Sequence, residues 1–185
     1  MPRKRLPRSL PPSETDALAG VAKTPRDRLI VLAGSVCALR VSEITGLEVP
    51  DLDLDAGTLL VRRGKGDRDR SVPVPGWLCG EFRDYLGGRA TGPVFPSRSG
   101  GGRLSSRAVQ RLLVRLGVAA GLPDAGKPRR CNPHRLRHAA ATTLLRSGMD
   151  IVELRDYLGH SSISTTQVYL SADATRMRAA SEKAF

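Results

Sequence analysis

The 185 residues include 30 Lys and Arg against 18 Asp and Glu, a formal charge of +12 that for this size attracts polyanions, nucleic acid or an anionic membrane surface first among them. Three scattered cysteines, Cys37, Cys79 and Cys131, form no CxxC pair and argue against a disulfide framework or a zinc site. The basic start MPRKRLPRSLPP has no apolar core of a secretory signal, and no apolar stretch reaches bilayer-spanning length, so a cytoplasmic chain of one ordinary domain is the expectation.

Residues 1–12 read as a basic, proline-rich tail. Ser13 is a candidate cap for a short helix running to Gly20, with Ala17 and Leu18 as its apolar part. Thr24 has the chemistry of an N-cap, Pro25 sits at the favoured first position and Asp27 suits the positive helix end. The run RLIVLAGSVCAL is apolar nearly all round and predicts a buried helix. A short helical piece, 41–47, leads into the acidic loop EVPDLDLDAG. Its alternating aspartates superficially resemble a calcium loop, but Ala56 stands at the glycine position and Arg62 at the closing glutamate position, which excludes that reading.

Residues 58–63 and 70–74 are β-rich runs joined by the turn GKGD, a β-ribbon. A turn-rich loop covers 87–102. From Ser106 to about Ala120 a helix carries Val109, Leu112, Leu113 and Leu116 on one face, while Arg107, Arg111 and Arg115 recur every fourth residue on another. Such an arginine row suits a solvated face, or phosphate and major-groove contact. A basic loop, AGKPRRCNP, precedes a helix over 134–147. Asp150 caps the next helix, which Gly159 ends, and Ser164 is positioned to cap a short helix holding Tyr169. The fold class expected is mainly α with a small antiparallel β-ribbon or sheet (α+β).

Three clusters carry chemistry. In ALRVSE, Arg40 and Glu43 stand three apart at a helix start, where they suit either an ion pair or an arginine held toward a phosphate. In PHRLRH, His134 and Arg137 share the spacing of one helical face near a helix N-terminus, the geometry of an anion site. In LGHSSISTTQVY, His160 follows the helix-ending glycine and Tyr169 lies on the next segment.

Taken together, ALRVSE, the GKG turn followed by RSVPVP, HRLRH, LGHSS and STTQVY resemble tyrosine recombinases of the integrase and Xer type, from about Leu10 to Leu170. The resemblance implies Tyr169 as nucleophile on a DNA phosphate, Arg40 and Arg137 as phosphate-binding arginines, Lys65 as general acid, His134 and His160 as the site histidines, and Glu43 as support. One departure is Ala38, where a glycine is common before the Leu–Arg pair. The resemblance further implies a catalytic region over 13–170, a 171–185 tail that docks on a neighbouring protomer, and self-assembly to a tetramer on paired sites of double-stranded DNA. Neither cofactor nor metal is implied. Arg62, Arg63, Arg68, Arg70, Arg107, Arg111, Arg115, Arg129 and Arg130 are the candidate DNA-contacting cations. Only about two dozen residues precede the first buried helix, too few for the family's N-terminal clamp domain; a fragment and a naturally clamp-less protein both remain open. A type IB topoisomerase-like relaxing enzyme and a non-catalytic DNA-binding module of the same fold are the alternatives.

Overall fold

The computed structural model describes residues 10–62, 69–97, 102–124, 126, 131–160, 162 and 166. Its first helix, α1 (Pro12–Gly20), starts on the two prolines rather than on a Ser13 cap: Pro11 holds the N-cap place, Ser13 lies inside the helix, and Thr15, Leu18 and Ala19 are its buried residues. A proline's fixed φ preorganises the first turn, and its missing N–H costs nothing there. Helix α2 (Pro25–Ser35) begins as its sequence predicts, with the Thr24 hydroxyl accepting from the Asp27 N–H at 3.2 Å. It is buried without a break from Leu29 to Gly34 and packs against α1, so it forms the centre of the core.

Helix α3 (Val41–Gly46) follows directly. The acidic stretch after it is not all loop: a 3₁₀ turn at Val49–Asp51 leads into β1 (Leu52–Asp53). This strand pairs with β2 (Thr58–Val61), which pairs with β3 (Arg70–Pro73), both antiparallel, so that β1 adds a third strand to the expected β2–β3 pairing and completes a small antiparallel sheet. In β2 the alternation points Leu59 and Val61 into the core, and Leu59 lies opposite the buried Val72. A hairpin gains little alone in water, and a third strand with one apolar face buried adds what it lacks. The calcium-like aspartates have other work: Asp51 is buried, accepts the Glu48 N–H and pairs with Arg62.

Helix α4 (Gly76–Leu86) starts after Pro75 with no side-chain cap, so its onset leaves little local trace in the sequence. Leu78, Cys79, Phe82 and Leu86 face inward. Helix α5 (Ser106–Ala119) is capped by the Ser105 hydroxyl; Val109, Leu112, Leu113 and Leu116 are buried, and Arg107, Arg111 and Arg115 are exposed. Helix α6 (Pro133–Arg146) starts on the Asn132 side chain, which accepts from the Arg135 N–H at 3.1 Å. It runs close across α2, where a Cβ on Gly34 would meet the Leu136 Cβ at 3.1 Å. Helix α7 (Ile151–Leu158) is capped by Asp150 and ends in the left-handed Gly159. It sits on α6 through a small separate cluster that includes Ala140, Ala141, Leu145, Leu154 and Leu158. Among the described residues no helix is long and apolar enough to cross a membrane.

Candidate active site

The site is built around one carboxylate. Glu43 is at the third position of α3, where its side chain reaches back to accept the Arg40 backbone N–H at 2.7 Å. That local bond caps the helix and fixes the carboxyl. The Arg40 guanidinium then donates to Oε1 at 2.8 Å. From β3, Arg70 grips both oxygens in a two-pronged fork, each bond 2.9 Å. From α6, Arg137 brings its Nη1 to 3.6 Å of Oε2.

Burial alone would push the Glu43 carboxyl upward. The fork and charge of Arg70, the Arg40 N–H and the Arg137 charge outweigh it and bring the pKa down from the ordinary 4.5 to about 2. Glu43 is therefore an anion at neutral pH and neutralises part of a dense cationic cluster.

The end of α7 supplies the other half of the frame. Its last carbonyls lie at the negative end of the helix dipole and lack intrahelical donors. Three in succession each take one arginine: Tyr157 accepts from Arg70 Nε at 2.9 Å, Leu158 from Arg137 Nη2 at 2.5 Å and Gly159 from Arg40 Nη2 at 3.2 Å. Arg137 also donates to the Ala38 carbonyl at 2.6 Å. Ala38 lies in the left-handed region at φ 52°, which is why a glycine suits this place. An L-residue there costs about 1–2 kcal/mol, so the departure noted in the sequence is a backbone matter and not only a methyl group.

His160 comes directly after this helix end. Its backbone N–H donates to Arg155, and its ring Nδ1 lies 3.0 Å from the hydroxyl of Thr166, which is completely buried. Thr166 has no role in the sequence pattern beyond its place in STTQVY, three residues before Tyr169.

His134 is not drawn into the arginine cluster. It is exposed on the first turn of α6 and, with Val41, Asn132, Arg107, Arg111 and Arg115, lines an open groove of about 750 Å³. Val41 follows Arg40 in the chain, so the groove reaches the edge of the cluster. The shared helical face expected for His134 and Arg137 therefore divides: one faces solvent and the other is 4% exposed. Arg70, expected among the DNA-contacting cations, is instead turned inward with its side chain only 10% exposed. Arg62 is largely exposed and holds Asp51. Lys65, Tyr169, Arg63, Arg68, Arg129 and Arg130, with the 171–185 tail, lie outside the described residues.

The other two tyrosines are committed. Tyr85 donates its hydroxyl to the Val94 carbonyl at 3.0 Å and Tyr157 to that of Val36 at 3.3 Å; burial pushes both phenols upward.

Against this geometry, a sequence model of the phage integrase family matches residues 8–176. The chain belongs to the phage integrase family. It is 42% identical over 187 aligned positions to tyrosine recombinase XerA of Thermococcus kodakarensis, covering 98% of this chain and 64% of that protein. The fold superposes on the crystal structure of XerA recombinase with a TM-score of 0.82 at 27% identity, over 99% of this chain and 65% of the other. It also matches the XerH recombinase bound to its difH substrate, TM-score 0.77 at 24% identity, over 96% of this chain and 55% of that one. The chain thus spans less than two thirds of these integrase-family relatives. The mainly helical architecture with a small antiparallel sheet is that of the family.

Proposed function

We propose that this chain is the catalytic part of a site-specific DNA recombinase that cleaves and rejoins double-stranded DNA through a 3′-phosphotyrosyl bond. The observation that carries the reading is the convergence of Arg40 and Arg137, from helices nearly a hundred residues apart, on Glu43 and the end of α7 beside His160. Two guanidinium groups locked in this way are preorganised donors for the non-bridging oxygens of a phosphodiester.

The proposed chemistry then follows. A tyrosine ionises near pKa ~10 in water, so attack on phosphorus at neutral pH needs a proton acceptor and charge stabilisation. His134 takes the Tyr169 proton as the phenolic oxygen bonds to phosphorus. Lys65 protonates the departing 5′ oxygen, and Arg40, Arg137 and His160 hold the charge that develops on the phosphate. The commitment of Tyr85 and Tyr157 to backbone carbonyls supports Tyr169 as the nucleophile. The covalent bond retains the phosphodiester energy, so the reverse attack by a 5′ hydroxyl needs no ATP, and the arginines take the role a metal would have. The groove carrying Arg107, Arg111 and Arg115 is the proposed seat of the DNA backbone or major groove. Tetramers on paired sites would complete strand exchange.

Incubation with a randomised pool of nicked duplexes tests the reading, since a nick beside the scissile phosphate lets the 5′ fragment diffuse away and traps the adduct. A covalent protein–DNA species that disappears in Tyr169→Phe is expected. An adduct that survives that substitution would refute the nucleophile, and reaction without any sequence preference would favour a relaxing enzyme.

A further inference from the structure

We propose that Arg70 is a positioning residue for phosphate cleavage: by clamping Glu43 and the Tyr157 carbonyl it sets the angle at which Arg40 and Arg137 meet the scissile phosphate. The inference rests on the recombinase reading and extends it to a residue that reading leaves unused.

All three guanidinium nitrogens of Arg70 are spent inside the protein, two on Glu43 and one on Tyr157. The side chain lies against the end of α7, so close that a Cβ on Gly159 would meet its Cδ and Nη1 at 3.0 Å. It cannot swing out to a DNA phosphate without dismantling that contact. Its effect on the other two arginines is indirect but strong. The Glu43 oxygen that takes the Arg40 guanidinium is also held by Arg70 Nη1. The other oxygen, which faces Arg137, is held by Arg70 Nη2.

Without Arg70, Glu43 keeps its hydrogen bonds to Arg40, the N-cap of its own helix, and the longer 3.6 Å ion pair with Arg137, and the carboxylate loses the fork that fixes its plane. The three-carbonyl ladder of Tyr157, Leu158 and Gly159 loses its first rung. Strand β3 also loses its ionic tie to α3 and its hydrogen bond to α7. Lysine cannot replace this, because one ammonium cannot span two carboxylate oxygens and a carbonyl in a plane. Arg70 is five residues beyond Lys65 along the chain.

The test uses the full chain with Arg70→Lys and Arg70→Gln. Adduct formation is followed at saturating nicked DNA, together with the Kd for that DNA and the titration of the Glu43 carboxyl by carbon NMR. A loss of about 10²-fold in single-turnover rate with Kd changed less than about threefold is expected in both variants, since a transition-state contact is misaligned while binding survives. The Glu43 titration should move upward in both. A wild-type rate with an unmoved Glu43 titration would overturn the proposal, and so would rate and affinity lost in parallel with the melting temperature. If the wild-type chain forms no adduct, the recombinase reading fails by itself. The Glu43 titration and the line widths of the Arg40 and Arg137 Nε–H signals then still decide whether Arg70 orders the cluster, and unchanged signals refute it.

Discussion

Replacing Glu43 by glutamine keeps the shape of the side chain and removes its charge, leaving Arg40, Arg70 and Arg137 facing one another. The cost can be worked from the carboxyl itself. Its side chain is 8% exposed, and its pKa falls from 4.5 to about 2 on folding, which corresponds to about 3 kcal/mol of stability at neutral pH. Breaking a buried ion pair generally costs about 3–5 kcal/mol. The lower end applies because Arg137 keeps Ala38 and Leu158, and Arg70 keeps Tyr157. For a chain of this length about 3 kcal/mol lowers Tm by roughly 6–12 °C. The sign with pH follows from the depressed pKa. The stabilisation is complete above the unfolded value of 4.5 and is lost as pH falls toward about 2. Urea unfolding of the wild type and Glu43→Gln from pH 7 to pH 3 reads this directly. About 2 kcal/mol of the difference between them should vanish over that range, since a protonated glutamate and a glutamine are nearly equivalent. A gap under about 1 kcal/mol at pH 7, or one that stays constant to pH 3, would refute the account of Glu43 as the charged hub.

Gly159→Ala should cost about 1–2 kcal/mol from its left-handed φ of 62° and displace Arg70 as well, so calorimetry should show lost stability and adduct assays a lower rate. Asp150→Ala removes the acceptor of two α7 N–H groups and should cost about 1 kcal/mol in denaturant unfolding, against no measurable change if α7 is held by packing alone. Arg107→Ala, Arg111→Ala and Arg115→Ala should leave Tm unchanged, because these side chains are exposed. Each that meets a phosphate should flatten the log–log dependence of DNA affinity on salt by about 0.9, and unchanged slopes in all three would remove α5 from the DNA interface.

Short-range chemistry made much of the fold legible. The caps at Thr24 and Asp150 bind N–H groups two or three residues away, and the α5 stripe repeats within one helix, so each is read from a few neighbouring letters; the Asn132 cap, placed within the basic loop by sequence, shows only in the structure. The order of Arg40, Lys65, His134, Arg137, His160 and Tyr169 was likewise visible, because each lies in a recognisable local string. Strand β1 and helix α4 left weaker traces. The strand is two residues long and exists through pairing with β2, and α4 begins with no capping side chain.

Where the arginines place their donors is set by tertiary packing. Arg70 looked like one more cation on a basic hairpin, yet its partners lie 27 and 87 residues away. Arg137 finds its carbonyls 99 residues earlier and 21 later, and Arg40 meets Gly159 across 119. Local sequence dictates which cationic and hydroxyl side chains are available and most of the helices that carry them. A guanidinium satisfies its hydrogen bonds with whatever acceptors packing brings near, and no local pattern records that choice. The common meeting point at Glu43 and the end of α7 therefore emerges only when α3, β3, α6 and α7 are folded against one another.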